Sequence, residues 1–170
     1  MNLKEFIREI PNFPQDGVSY KDITPLLKEP AGLFAAVQTM LAPFADADVD
    51  LVVGIEARGF VFATPIALEL GCGFVPVRKP GKLPAATLSR DYELEYGETA
   101  LEIHTDAIAS GQKVLVVDDV LATGGTLAAT CQVLKELGAV IEGISVLAEL
   151  SFLSGRDLLH EYKLESAIVY

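Results

Sequence analysis

The strongest structural signal in the chain is the stretch Val114-Leu115-Val116-Val117-Asp118-Asp119-Val120-Leu121-Ala122-Thr123-Gly124-Gly125-Thr126. It opens with a short run of branched apolar residues without polar alternation, which predicts a strand covered on both faces. Two aspartates follow, and then a turn of small residues leads into a helical pattern. Because ligands in open α/β sheets lie beyond the carboxyl ends of the strands, we expect Asp118 and Asp119 at a binding site.

The turn after the aspartates has the composition of an anion-binding loop. Gly124 and Gly125 lack Cβ atoms, so their N–H groups can approach an anion closely. Thr123 and Thr126 add hydroxyl donors, and a helix that begins near Thr126 contributes a positive dipole end. The pattern predicts a cradle for a phosphate monoester beside carboxylates that suit a sugar diol. Neither the Walker nor the dinucleotide fingerprint is present.

Further apolar runs predict an α/β fold with a central parallel sheet flanked by helices. The other predicted strands are 51–55, 74–77 and 140–150. A helix over 127–137, ended by Gly138, gives a strand–helix–strand unit, and a second helix is predicted after Pro30. The spacing of Leu3, Phe6, Ile7 and Ile10 predicts a first short helix that Pro11 ends. The segments 11–25 and 78–97 are expected to be irregular, and the latter is typical of a functional flap.

Length and charge limit the classes of function. We expect one domain over 1–170, because 170 residues with 51% hydrophobic side chains suit a single core. A net charge of −11 disfavours binding to nucleic acid or to a membrane surface. No apolar run is long enough for a transmembrane helix or a signal peptide, so a cytoplasmic protein is expected. Cys72, Cys131, His104 and His160 lack metal-type spacing, and no metal ligands are assigned among the protein's side chains.

The segment from Asp118 to Thr126 resembles the 5-phosphoribosyl 1-pyrophosphate (PRPP) motif of the type I phosphoribosyltransferases. Four further strings are similar, in order and spacing, to the adenine phosphoribosyltransferase branch of that family. They are Glu56-Ala57-Arg58-Gly59-Phe60, the segment 77–84, Leu94-Glu95-Tyr96-Gly97 and Leu101-Glu102-Ile103. The resemblance runs from about residue 11 to residue 150. It implies the phosphoribosyltransferase fold, with an N-terminal hood at about 1–30, a core at about 31–170 and a flap at about 82–97.

The resemblance implies a reaction in which adenine and PRPP give AMP and pyrophosphate, as in purine salvage. The ribose and the 5′-phosphate are expected to bind at one set of residues: Asp118, Asp119, Ala122, Thr123, Gly124, Gly125 and Thr126. The pyrophosphate contacts implied are Arg58, Arg78, Lys79 and Lys82. Magnesium is expected to arrive with PRPP, bound by the substrate's oxygens rather than by a protein cage.

The resemblance also implies how the base is bound. Phe13 to Ile23 is similar to the family's adenine-binding string, so Ser19, Tyr20 and Lys21 are expected around the purine, with the ring of Tyr20 stacked on it. Lys21 stands where many relatives carry arginine. Within the flap, Glu95 matches the family's general acid/base, and Tyr96 is expected to shape the closed site.

Two alternatives remain open at this point. One is a phosphoribosyltransferase for hypoxanthine or guanine, which would keep the phosphate loop and change the hood. The other is a non-catalytic regulator that senses PRPP. A homodimer is expected, because the family is homodimeric and mean hydropathy is high at +0.37.

Overall fold

The computed structural model describes residues 1–94 and 97–170 of the chain. The chain divides into two compact units, residues 1–39 and residues 40–170. The single domain over 1–170, with its hood at about 1–30 and its core at about 31–170, stays a prediction. No helix among the described residues is long and apolar enough to cross a membrane.

The first unit contains a β-hairpin where a helix was expected. Its elements are a 3₁₀ turn at Leu3–Phe6, strand β1 at Arg8–Pro11, strand β2 at Ser19–Asp22, helix α1 at Thr24–Lys28 and most of helix α2 at Pro30–Leu41. The predicted helix through Ile10 is therefore wrong beyond Phe6. Ile10 pairs with Tyr20 in the antiparallel hairpin, and the Arg8 guanidinium contacts the Asp22 carboxylate at 2.6 Å. Pairing between strands overrides the helical spacing there.

The second unit is built on a parallel sheet, as predicted, and the sheet has five strands. Its strands are β3 at Leu51–Ile55, β4 at Gly73–Val77, β7 at Lys113–Leu121, β8 at Val140–Glu149 and β9 at Leu164–Val169, in the spatial order β4-β3-β7-β8-β9. Helix α3 at Gly59–Leu70 connects β3 to β4, and helix α4 at Gly125–Glu136 connects β7 to β8. The fifth strand, β9, was not predicted.

Close packing of α3 on the sheet depends on a glycine in β3. A Cβ on Gly54 would lie 2.6 Å from Phe74 Cε2 and 2.7 Å from the Cβ of Ala63, which belongs to α3. Real side chains do not approach so closely, so any larger residue would push α3 away from the sheet. The strands themselves are covered on both faces, as Val52, Val53 and the run 114–117 are fully buried. The burial explains why these runs lack polar alternation.

A second hairpin stands where an irregular flap was expected. Strand β5 at Thr87–Leu94 pairs antiparallel with strand β6 at Gly97–His104, with Thr87 opposite His104. Leu101 and Ile103 are buried in the core of the unit. The prediction of an irregular segment over 78–97 is therefore wrong for the described residues from Thr87 onward, whereas residues 79–86 form turns and loops without a helix or strand. The flap at about 82–97 stays a prediction. His104, to which no role was assigned, accepts a hydrogen bond from the Ala85 N–H at 3.3 Å through Nε2.

Candidate active site

Asp118 and Asp119 lie at the point where the order of the strands in the sheet reverses. Strand β3 connects through α3 to β4 on one side, whereas its neighbour β7 connects through α4 to β8 on the other. A crevice opens at the carboxyl edge between two such strands, and ligands of open α/β sheets bind there. Both aspartates lie in the C-terminal half of β7 and are more than 90% buried, with 8% and 5% of their surface exposed. Both carboxyl groups thus lie near this edge of the sheet, and their role in binding stays a prediction.

Arg58 reaches the same crevice from the turn between β3 and α3. It directly precedes helix α3, and its Nε lies 2.7 Å from Asp119 Oδ2. This contact is an ion pair rather than an aligned hydrogen bond, because Oδ2 accepts no hydrogen bond from any described residue. Residues 61 positions apart in sequence (119 − 58 = 61) therefore meet only because β3 and β7 are neighbours.

Burial makes the acidic pair electrostatically costly. It raises the pKa of Asp118 well above its ordinary value, and repulsion from the neighbouring Asp119 carboxylate raises it further. Burial also raises the pKa of Asp119, although the positive charge of Arg58 works in the opposite direction. The backbone N–H of Asp119 donates a 2.9 Å hydrogen bond to Asp118 Oδ1. Such a pair is unfavourable for folding and is typical of a functional site.

The loop after β7 turns sharply into helix α4, at the position where a phosphate cradle was predicted. Gly124 adopts a left-handed conformation with φ of 85°, and helix α4 begins at Gly125, one residue before the predicted position. The first N–H groups of α4 have no partner within the helix and can donate to an anion. Ala122, Thr123, Gly125 and Thr126 are all partly exposed at this turn. The seven predicted ribose and phosphate residues thus lie between the C-terminal half of β7 and the first turn of α4, and their substrate contacts stay a prediction.

The predicted pyrophosphate residues are organised by a carboxylate that the sequence analysis did not single out. Glu56 accepts hydrogen bonds from Arg78 Nε and Nη2 at 3.1 and 3.2 Å and from the Lys79 N–H at 2.9 Å. Burial would raise the pKa of Glu56, but the hydrogen bonds from Arg78 and Lys79 lower it below its usual value. Arg78 Nη1 also donates to the Lys82 carbonyl at 3.1 Å. Arg78 therefore shapes the loop, whereas the side chains of Lys79 and Lys82 are exposed.

A small open pocket connects this basic loop with the start of α4. Its lining includes Glu56, Arg78, Lys79, Tyr92 and Thr126. Cationic side chains thus border a space that extends to the N-terminal end of a helix. Such an arrangement favours a polyanion, because both the charges and the helix dipole are positive there.

The predicted base-binding residues lie on β2 in the first unit. Ser19 is exposed and Tyr20 is half-buried. The Tyr20 ring contacts the Phe13 ring edge to face, with centroids 5.1 Å apart. Lys21 is buried, and its Nζ forms a salt bridge with Glu9 and a 3.5 Å hydrogen bond with Ser19 Oγ. Its ammonium group is therefore engaged within the hairpin.

The predicted flap residues Glu95 and Tyr96 lie outside the described residues, so their roles stay predictions. Within the described part of the chain, no group of three or more His, Cys, Asp and Glu side chains could hold a metal ion. Cys72 and Cys131 are free thiols. Glu56 could have been found from the sequence, since it begins one of the strings that carried the family resemblance.

Comparison with known proteins identifies the family. The phosphoribosyl transferase domain model matches residues 19–165. The adenine phosphoribosyltransferase of Kosmotoga olearia is 53% identical over 170 residues, which is all of both chains. The crystal structure of adenine phosphoribosyltransferase from Thermoanaerobacter pseudethanolicus aligns with a TM-score of 0.94 at 51% identity, covering 99% of this chain and 98% of that one.

A more distant structure has the same fold. The enzyme of Giardia lamblia, complexed with 9-deazaadenine, aligns with a TM-score of 0.94 at 36% identity and covers 99% of this chain and 96% of that one. The sequence similarity, the fold and the acidic pair beside a glycine loop all indicate the same family. This chain belongs to the adenine phosphoribosyltransferase branch of the phosphoribosyltransferase family.

Proposed function

We propose that the crevice between β3 and β7 binds PRPP in the reaction of this family, the synthesis of AMP and pyrophosphate from adenine and PRPP. The observation that carries the proposal is the buried carboxylate pair placed directly before the glycine loop at the start of α4. The loop N–H groups and the hydroxyls of Thr123 and Thr126 bind the 5′-phosphate. Asp118 and Asp119 accept hydrogen bonds from the ribose hydroxyls.

The acidic pair suits the chemistry as well as the binding. The C1′–O bond to pyrophosphate breaks, and the C1′–N9 bond to adenine forms. Positive charge develops on the sugar between these events, and two nearby carboxylates stabilise it. PRPP binding draws the Arg58 guanidinium from Asp119 toward the phosphates, which frees the carboxylate for the sugar.

Pyrophosphate leaves through the basic loop. Arg58, Lys79 and Lys82 neutralise its oxygens, and Arg78 keeps the loop in place through Glu56. The side chains of Arg58, Lys79 and Lys82 carry N–H donors, which bind phosphate oxygens and cannot ligate a metal ion. They therefore suit a magnesium ion that would be held by the oxygens of PRPP and not by the protein. When bound, the ion supplies further neutralisation of the leaving group.

Adenine binds at β2 in this proposal, around Ser19, Tyr20 and Lys21, as the resemblance implies. The likeness to a structure complexed with 9-deazaadenine supports a purine site in this chain. Lys21 acts there by holding Ser19 through its hydrogen bond, since its charge is engaged by Glu9. The N9 proton of adenine is given to Glu95, in the role that the resemblance implies, and Tyr96 encloses the site.

A homodimer is part of the proposal. Val61 and Leu68 lie seven positions apart on α3, which places them on one face of the helix. They are 38% and 76% exposed. A second copy of the chain would cover this apolar face. The cytoplasmic location stays a prediction.

A steady-state assay with PRPP and magnesium tests the proposal. Adenine should be converted to AMP, with hypoxanthine and guanine at least about 100-fold slower in kcat/KM, since a site that hydrogen-bonds one base edge rejects others strongly. The double variant Asp118→Asn/Asp119→Asn should lose turnover while its circular dichroism is unchanged. Asp106→Asn removes an exposed carboxylate and serves as the matched control. Unchanged kinetics in the double variant would refute the role of the acidic pair.

A further inference from the structure

The phosphate loop rests on a short segment from the C-terminal part of the chain, Ser154–Arg156, which we name the backing segment. A Cβ on Gly155 would lie 2.2 Å from the Ala122 carbonyl oxygen and 2.8 Å from the Gly124 nitrogen. In the reverse direction, a Cβ on Gly124 would lie 2.4 Å from the Gly155 carbonyl oxygen. The two backbones are therefore in direct contact, with no room for any side chain between them.

Arg156 anchors the backing segment to the sheet. Its Nε and Nη2 donate to the two carboxylate oxygens of Glu149, at the end of β8, at 3.0 and 2.6 Å. Nη1 donates to the Leu164 carbonyl at 2.9 Å, and Nη2 also reaches Ser166 Oγ at 3.3 Å. Only 7% of the Glu149 side chain is exposed. Two parallel hydrogen bonds from the planar guanidinium fix the orientation of Arg156 relative to Glu149 as well as their distance.

We infer that Gly155 and Arg156 are positioning residues for the 5′-phosphate of the substrate. Arg156 holds the backing segment against β8 and β9, and Gly155 then presents a flat backbone surface on which residues 122–124 rest. This surface sets the curvature of the loop, so that its N–H groups converge on one phosphate. The inference rests on the proposed role of that loop.

Neither residue is placed to touch substrate, which separates them from the residues of the site. Gly155 is buried at the start of the second of two 3₁₀ turns, Ser151–Leu153 and Gly155–Leu159, and its backbone contacts the phosphate loop from that side. A methyl group at 155 would meet backbone atoms, which cannot rotate away as a side chain could. The loop must move instead, and a displacement of about 1 Å at a binding group costs up to about 100-fold in rate.

The test compares Gly155→Ala and Arg156→Met with Gly32→Ala. Gly32 lies in helix α2, where an added Cβ would make ordinary contacts of 3.4 Å or more. We expect KM for PRPP to rise about 10- to 100-fold in both test variants, with KM for adenine within about twofold of the parent. Arg156→Lys keeps the charge but loses the fork, so its KM for PRPP should fall between those of parent and Arg156→Met. Gly32→Ala should behave as the parent.

A loop variant separates this inference from the proposed function. Thr126→Ala removes a hydroxyl from the phosphate loop. If its KM for PRPP does not change, the loop assignment is wrong. If Thr126→Ala raises KM for PRPP while the two backing-segment variants leave it within twofold, only the present inference is wrong. Failure of both backing-segment variants to fold would also overturn it, since the contacts would then serve folding and not the loop.

Discussion

Replacement of Asp118 by asparagine should make the protein more stable and much less active. Asp118 is 8% exposed, and its pKa is raised by burial and by the Asp119 carboxylate. Asparagine has nearly the same shape, and its Oδ1 can still accept the Asp119 N–H. Its amide can also donate to the Asp119 carboxylate. The substitution therefore removes a buried charge without opening a cavity.

The expected gain in the free energy of unfolding and the expected loss of activity can both be estimated. Relief of an unfavourable group at a functional site is typically worth about 1 kcal/mol. For a chain of this length that corresponds to a rise in Tm of about 2–4 °C. The loss of a charge-assisted hydrogen bond to a ribose hydroxyl costs about 1.5–3 kcal/mol. Since about 1.4 kcal/mol is a factor of ten, kcat/KM for PRPP should fall about 10- to 150-fold.

The pH dependence of the stability gain follows from the direction of the pKa shift. The pKa of Asp118 in the folded protein lies above its ordinary value of 3.8. Deprotonation therefore disfavours folding, and this penalty is complete only above the folded-state pKa. It shrinks as the pH falls through that pKa and vanishes below the unfolded value. The difference in Tm between Asp118→Asn and the parent should accordingly be largest at neutral or higher pH.

Calorimetric melting at several pH values, together with kinetics at neutral pH, checks this reasoning. Asp106→Asn, an exposed change, should leave both Tm and kcat/KM near the parent values. A lower Tm for Asp118→Asn at neutral pH, or a gap that widens as the pH falls, would show that the charge of Asp118 is not unfavourable in the folded protein.

Three further expectations concern other parts of the structure. Glu56→Gln should weaken the bonds from Arg78 and raise KM for PRPP several-fold, with KM for adenine unchanged; an equal rise in both would contradict a local effect. Leu68→Lys should convert the proposed homodimer to a monomer in light scattering, and an unchanged dimer mass would place the interface elsewhere. Ser145 Oγ donates a buried 2.8 Å hydrogen bond to the Met40 carbonyl. Ser145→Ala should therefore lower the free energy of unfolding by about 1 kcal/mol and Tm by about 2–4 °C, without altering the kinetics. An unchanged Tm would show that this hydrogen bond does not stabilise the protein.

The central strands and the phosphate loop were predictable because their signals are local. The runs 51–55 and 114–117 are buried on both faces, and Gly124 and Gly125 mark the turn into α4. The strand β9 was missed because Glu165 and Ser166 interrupt its apolar pattern. Strand β9 forms an edge of the sheet, where one side lacks a neighbouring strand. Edge strands carry more polar residues than central ones.

The contacts within the site were less predictable than its residues. Arg58 was assigned to pyrophosphate, but its ion pair with Asp119 depends on β3 and β7 being neighbours. Arg78 was also assigned to pyrophosphate, which stays a prediction, but the hydrogen bonds of its guanidinium to Glu56 were not predicted. Such pairings depend on strand order and side-chain direction, which no single segment encodes. The expected helix through Ile10 failed for the same reason, because Tyr20, the partner of Ile10 on strand β2, lies ten positions further along the chain.

The mutual contact of Gly124 and Gly155 constrains how this enzyme can be re-engineered. Neither position tolerates even a methyl group while the other keeps its present backbone path, so saturation mutagenesis of either one alone would yield mostly damaged clones. Libraries aimed at a different nucleobase should therefore leave both glycines untouched and draw their diversity from strand β2.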